Sequence, residues 1–358
     1  GLDSRTLLAL ALEAEPQAVL IPAHIWTPHF SLFGANSGFD ALEECFGDLS
    51  SEITAYETVL SSDPPMNWRL SALDRLTLVS NSDAHSPDKL GREAAEFETD
   101  LSFAGLAGAL RRTRGRVLGT VEFYPEEGKY HYDGHRNCGV CWHPRETLAA
   151  GGRCRICGRP VTVGVLHRVD ELADRPEGFR PGGAPDYAAL IPLREVIMAA
   201  LDVGAANRRV EETYRRLTEA LGPEIPLLRA ATLPAIERVA GALVAEAINR
   251  MRRGKVEFRP GYDGEYGALT ILRPEERRQL AGQVSLFALP QADLEAVRRE
   301  RASWAAAAGA RETAAVVAAE AGAVWSGTDP LAGLDVEQAA AVAARQGPVV
   351  VLAGPGTG

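Results

Sequence analysis

Residues 77–87 read TLVSNSDAHSP, and residues 18–26 read AVLIPAHIW. In the first, an apolar run (Leu76, Leu78, Val79) breaks into small polar residues that hold Asp83 and His85, and Pro87 stops it. A buried strand ends in a loop this way, and such loops are where α/β proteins keep their chemistry. The second stretch repeats the design, with His24 just past its apolar run. Asn, Ser, Asp and Pro are all turn formers, so an ordinary turn is one reading of the first stretch. The other is a pair of metal ligands, with His24 as partner across the C-terminal edge of one sheet or barrel. Carboxylate and imidazole suit catalytic divalent metals, which polarise a phosphoryl oxygen and generate hydroxide at neutral pH.

Working outward, residues 1–115 alternate strand-like runs with helical patterns such as FDALEECF (39–46) and AGLAGALRRTR (104–114). This predicts an α/β fold of β/α units with active residues at strand ends. Residues 116–170 carry a cysteine cluster between β-rich flanks. Residues 171–282 read as an α+β region. ALIPLREVIMAALDVG (189–204) and LPAIERVAGALVAEAINRMRRG (233–254) have helical apolar spacing, and KVEFRPGYDGEYGALTIL (255–272) predicts a hairpin around a Gly-rich turn. An alanine-rich linker follows over 283–332, and a new domain starts over 333–358.

No window approaches the length of a membrane span and no signal-peptide pattern opens the chain, so no membrane partner is expected. The net charge of −10 excludes a uniformly basic nucleic-acid coat but leaves room for a local basic face. Four of the five cysteines fall in NCGVCWHPRETLAAGGRCRICGRP (137–160), spaced Cys138-x2-Cys141-x12-Cys154-x2-Cys157. Two CxxC knuckles predict structural zinc in a closed, tetrahedral, four-thiolate site. Metal rather than disulfides places the chain in a reducing cytoplasm. Arg136, Arg153, Arg155 and Arg159 surround the knuckles as candidate phosphate grips, with Trp142, Tyr130 and Tyr132 nearby for stacking on bases. Arg259, Tyr262 and Tyr266 on the Gly-rich turn are further candidates for DNA contact, the alternative being a hairpin that packs its tyrosines inward.

AHIWTPHFSLFGANSGFD (23–40), SNSDAHSPDKLGREA (80–94), GTVEFYPEEGKYHYDGHRNC (119–138), HRVDELADRPEGF (167–179) and VEFRPGYDGEYG (256–267), with the four cysteines, resemble endonuclease Q. The likeness runs from about residue 1 to 283. It implies a polymerase-and-histidinol-phosphatase (PHP) metal domain, a distorted β/α barrel of which this chain holds the later strands, then a zinc-binding region. It also implies an endonuclease that nicks DNA on the 5′ side of deaminated bases and abasic sites, using divalent metal. On this resemblance His24 matches a late histidine ligand, and Asp83 and His85 the closing pair. His29 stands where an aromatic residue is expected, so no ligand role is carried onto it. The family opens with a His-x-His pair that has no counterpart upstream of His24, and His131, His135, His143 and His167 are poor substitutes. The chain therefore reads as N-terminally truncated, and in isolation as a weak or inactive nuclease.

Gln283-Val284-Ser285-Leu286-Phe287 resembles the pentapeptide by which bacterial proteins dock on the sliding clamp, with Leu286 and Phe287 filling an apolar pocket. LDVEQAAAVAARQGPVVVLAGPGTG (334–358) resembles the start of a UvrD-like superfamily 1 helicase. Gln338 would read adenine there, and Gly354, Gly356, Thr357 and Gly358 would begin a phosphate loop for ATP and Mg. Two other readings keep some of these features. One is a PHP-type enzyme acting on a small phosphate ester; the other is a non-catalytic, zinc-dependent DNA-binding adaptor of the helicase.

Overall fold

The computed structural model describes residues 2–284. Leu286 and Phe287 of the clamp-like pentapeptide and the helicase-like stretch with Gln338, Gly354, Gly356, Thr357 and Gly358 lie outside the described residues. Gln283 falls in the last turn of the helix Pro274–Val284.

Nine strands are found among the described residues: β1 (Ala55–Glu57), β2 (Thr77–Val79), β3 (Ala94–Glu98), β4 (Arg116–Glu122), β5 (Asp133–His135), β6 (Val140–Trp142), β7 (Asp186–Ala189), β8 (Glu257–Arg259) and β9 (Ala268–Thr270). β1 and β2 pair in parallel, Glu57 opposite Val79, so both strands end at the same edge. β4 pairs antiparallel with β3 and parallel with β7. One sheet thus draws a strand from each of the three regions expected over 1–115, 116–170 and 171–282. Among the described residues the parallel strands form pairs, not a closed barrel.

Two sequence expectations change in detail. AVLIPAHIW forms no strand, yet it lies along β1: the Glu57 N–H donates to the Pro22 carbonyl (3.2 Å) and the Ile25 N–H to the Glu57 carbonyl (3.3 Å). Pro22 has no N–H for a ladder, and His24 takes a left-handed backbone (φ 33°), which ends the extension there. The helical stretch 233–254 is two helices, Leu233–Ala240 and Ala242–Arg252, because Gly241 sits between them at φ 88°.

The largest core lies among the helices of 193–252 and takes Val121 from β4 and Ile271 and Leu272 from beside β9. A second core holds Leu8, Ile25, Trp26, Phe33 and Tyr56, together with Val165 and Val169 of the helix Val165–Leu172. That helix follows the cysteine cluster, so the cluster is anchored in the N-terminal core. Trp26 is fully buried and its indole N–H donates to Asn67 Oδ1 (2.8 Å). Truncating Ile25 or Trp26 to alanine removes apolar contact and leaves a cavity, at a cost of about 2–5 kcal/mol. These residues flank His24, so the same packing fixes its loop.

Candidate metal centres

Glu57, the last residue of β1, is buried and joins the two strand-end loops. Its Oε2 accepts the His24 N–H (3.1 Å) and its Oε1 accepts the Asn81 side-chain amide (2.7 Å). Burial pushes the Glu57 carboxyl up; Asn81, the His24 N–H and the His24 ring oppose that, and the Asp83 charge adds to it. His24 and Asp83 both have left-handed backbones (φ 33° and 45°). The His24 Nδ1 is engaged by Ser31 Oγ (3.1 Å) and Thr27 Oγ1 (3.3 Å), leaving Nε2 for a ligand. His85 Nδ1 lies 3.0 Å from the Asp83 carbonyl, which can only accept, so Nδ1 carries the proton and the Nε2 lone pair is free. Arg92 holds this loop through the Ser82 and Asp83 carbonyls. Asp83 and His85 are exposed. The three expected ligands thus share one edge around Glu57, but their ligand atoms are not drawn together as a closed cluster.

The cysteine cluster is closed. His135, Cys138, Cys154 and Cys157 place their ligand atoms all within 4.8 Å of one another, the one such group of His, Cys, Asp and Glu among the described residues. Three of the four expected thiolates, Cys138, Cys154 and Cys157, are in this group, with His135 in the fourth place. Cys141 is not in the group; its Sγ lies 3.9 Å from the Pro260 carbonyl, and burial pushes its thiol up. A knuckle needs a tight left-handed turn just after its second ligand, and glycine supplies it at low steric cost. Gly139 follows Cys138 at φ 63° and Gly158 follows Cys157 at φ 71°. The knuckles are thus His135-x2-Cys138-Gly139 and Cys154-x2-Cys157-Gly158, whereas Cys141 is followed by Trp142 and lies within β6. The sequence signal was present in HRNCG and CRICG. One imidazole and three thiolates fit tetrahedral zinc with no open position.

Asp133, fully buried on β5, accepts the Gly164 N–H (2.7 Å) and pairs with His167 Nδ1 (2.6 Å), whose ring its carboxylate pushes up. This joins the knuckles to the helix Val165–Leu172. On the other side Asp263 accepts the Arg136 N–H (2.6 Å) and the Thr162 hydroxyl (2.6 Å), docking the β8–β9 turn.

Sequence-predicted DNA contacts divide accordingly. Tyr262 is half-buried and packs on Gly134, where an added Cβ would lie 2.3 Å from its ring. Tyr266 is 69% exposed with the Lys129 ammonium 4.6 Å above its ring. Arg153 donates to the Gly158 carbonyl (3.0 Å) and braces its own knuckle, while the Arg155 guanidinium lies 5.3 Å from the Trp142 ring. Arg136, Arg159 and Arg259 are exposed. Glu57 and His135 are the site residues that sequence reading missed. Glu57 ends an apolar run much as Asp83 does, in ITAYE (53–57).

The family described as the MJ0043 C-terminal domain matches residues 192–255. The uncharacterized protein MJ0043 of Methanocaldococcus jannaschii is 30% identical over 269 residues, 73% of this chain and 33% of that protein. The uncharacterized protein YqxK of Bacillus subtilis is 34% identical over 254 residues, 70% of this chain and 60% of that protein. The chain thus spans 33% and 60% of the length of these curated relatives. Among solved structures, the lesion-specific endonuclease PfuEndoQ of Pyrococcus furiosus superposes with a TM-score of 0.69 at 29% identity, over 81% of this chain and 71% of that one. Endonuclease Q bound to a 27-mer duplex with an abasic lesion at its active site superposes with a TM-score of 0.68 at 30% identity, over 77% and 68%.

Proposed function

We propose that this chain, which belongs to the endonuclease Q family, serves a metal-dependent DNA endonuclease that cuts beside abasic sites and deaminated bases. The observation that supports this most is the likeness, over 77% of the chain, to an endonuclease Q held on a duplex at an abasic lesion. In this reading His24, Glu57, Asp83 and His85 hold divalent metal at the strand-end edge. Metal bound there would polarise a phosphoryl oxygen and supply hydroxide at neutral pH. Glu57 sets the spacing of the two loops, and the engaged Nδ1 atoms of His24 and His85 direct their Nε2 atoms to the ligand role. The knuckle zinc is structural. Arg136, Arg155, Arg159 and Arg259 grip phosphates, and Tyr266 stacks on an exposed base. The clamp-binding role of 283–287 and the nucleotide-binding role of 333–358 belong to the same proposal.

The test is a labelled duplex carrying one abasic site, with an undamaged duplex as control, in Mn²⁺ and with chelator. The expected result is tighter binding to the lesion duplex and, once an N-terminal segment carrying the family's opening His-x-His pair is joined to the chain, a chelator-sensitive nick beside the lesion that His24→Ala removes. Equal binding to both duplexes would overturn the assignment. One observation favours a second reading, a DNA-binding adaptor without catalysis: the strand-end donors are not gathered as the knuckle donors are. Lesion-preferring binding with no nick in any metal, even with that N-terminal segment joined, would select it.

A further inference from the structure

Behind Glu57 lies a second layer of buried carboxylates that the candidate metal centre does not use. Glu122, the last residue of β4, is fully buried. Its Oε2 accepts the hydroxyls of Thr58 (3.0 Å) and Ser80 (3.1 Å). Thr58 directly follows Glu57, and Ser80 directly precedes Asn81, which holds the Glu57 carboxylate. One carboxylate thus ties the two strand ends together. Glu93, also buried, accepts the Leu60 N–H on both oxygens (3.0 Å each) and the Phe123 N–H (3.1 Å). Between these grips the chain is left-handed at Val59 (φ 24°) and Leu60 (φ 50°), neither of them glycine. A β-branched residue held so is strained, and such a conformation persists only where its surroundings over-determine it.

The second oxygen of Glu122, Oε1, is buried and makes no hydrogen bond of normal geometry, although the Thr120 side chain acts on the same carboxyl. A lone carboxylate oxygen in such a place is costly if charged and much less so if protonated. Two neighbouring buried carboxylates do not both keep a charge. The backbone N–H groups on Glu93 favour its charge against the burial that raises it, whereas burial first and the Glu93 charge second push the Glu122 carboxyl well up, toward the acid form. The other groups that act on this pair are Glu57, Arg92, Tyr56 and Tyr187.

We propose that Glu122, as a neutral acid, and Glu93 are positioning residues for the strand-end centre: through Thr58, Ser80 and Leu60 they fix the distance between Glu57 and the Asp83 loop. This rests on the reading of His24, Glu57 and Asp83 as metal holders, and it touches no reacting atom itself. A carboxamide at position 122 offers Thr58 and Ser80 the same acceptor and places an N–H where the acid proton stands. A methyl group offers neither.

The experiment titrates Mn²⁺ into the zinc-loaded protein and its Glu122→Gln, Glu122→Ala and His24→Ala variants, and follows backbone amide exchange over 58–62. The expected result is an Mn²⁺ affinity for Glu122→Gln within about threefold of the parent, and one about 10–100-fold weaker for Glu122→Ala, as when an outer-layer partner of a metal ligand is lost. Knuckle zinc stays at one per chain in all of them. Glu122→Gln behaving as badly as Glu122→Ala overturns the neutral-acid role, and Glu122→Ala leaving both affinity and exchange unchanged overturns the positioning role. If His24→Ala binds Mn²⁺ as the parent does, the metal reading fails instead. Amide exchange then decides the positioning alone: at least tenfold faster over 58–62 in Glu122→Ala but not in Glu122→Gln, or overturned. Should Glu122→Ala not fold, Thr58→Val and Ser80→Ala remove its two contacts one at a time.

Discussion

The two candidate metal centres are built in opposite ways. The knuckle centre takes its four donors from one short stretch, 135–157, and two left-handed glycines fold that stretch around the metal. The strand-end centre takes its donors from three separated segments, around His24, Glu57 and Asp83, and its geometry depends on the parallel pairing of β1 with β2 and on buried carboxylates behind them. The first is closed and fits a structural ion. The second leaves Asp83 and His85 exposed and fits an ion that must also meet a substrate. A local, closed site defends itself; a distributed, open one is only as good as its frame.

The largest expected effect is on the closed site. Cys154→Ser or Cys157→Ser removes a thiolate from a site whose apparent zinc affinity is worth on the order of 10 kcal/mol, so zinc is lost and the stretch around the knuckles unravels. Cys141→Ser keeps one zinc per chain, and His135→Ala gives it up to chelator far more readily. Metal release followed with a colorimetric chelator checks this, and release by Cys141→Ser would erase the distinction between the two knuckle assignments. At the open site the expected effect is smaller. Asn81→Ala frees one Glu57 oxygen and weakens Mn²⁺ binding about 10–100-fold without touching zinc, which titration calorimetry reads directly.

The comparison was legible to different depths in the sequence. The apolar run and polar break at 76–87 marked the end of β2, and the run at 18–26 marked a segment that lies along β1 without forming a strand. Cysteine spacing found the knuckle region with Cys138, Cys154 and Cys157, whereas the approach of His135 to them shows only in the folded chain. Glu57, Glu93 and Glu122 were not legible as a set. Their roles come from pairing between segments 20 to 70 residues apart, and nothing local marks a glutamate as buried. Gly241 did sit visibly in its helical pattern, but the apolar spacing continues through it and hides the break.

The two regions also differ in their response to pH. Burial holds Glu93 at about 7, above its unfolded range, so the folded state keeps the proton longer. The stability this contributes is full below about pH 4.5 and is lost as pH rises through about 7, a change on the order of 3 kcal/mol. His131, beside the knuckles, is pushed down to about 4 by burial. Its contribution is full above about pH 6.5 and is lost as pH falls toward 4, by a similar amount. Urea unfolding at pH 5 and pH 8 should therefore show the alkaline loss reduced by Glu93→Gln and the acid loss reduced by His131→Phe. Unchanged limbs in both variants would remove the pH contrast between the regions.

The smallest effects lie on the DNA-facing surface. Tyr266→Ala should cost about 1–3 kcal/mol of DNA affinity and change stability by less than about 0.5 kcal/mol. Tyr262→Ala should do the reverse, since its ring packs on Gly134. Fluorescence anisotropy beside a melting curve separates the two.

The account rests most heavily on the strand-end edge being a metal centre distinct from the knuckles. A crystal of the zinc-loaded protein soaked in Mn²⁺, with anomalous maps recorded for each metal, tests this most directly. The predicted result is a zinc peak among His135, Cys138, Cys154 and Cys157, and a manganese peak at the edge between His24, Glu57 and Asp83. A strand-end edge with no manganese, or a zinc bound by Cys141 in place of His135, would contradict it.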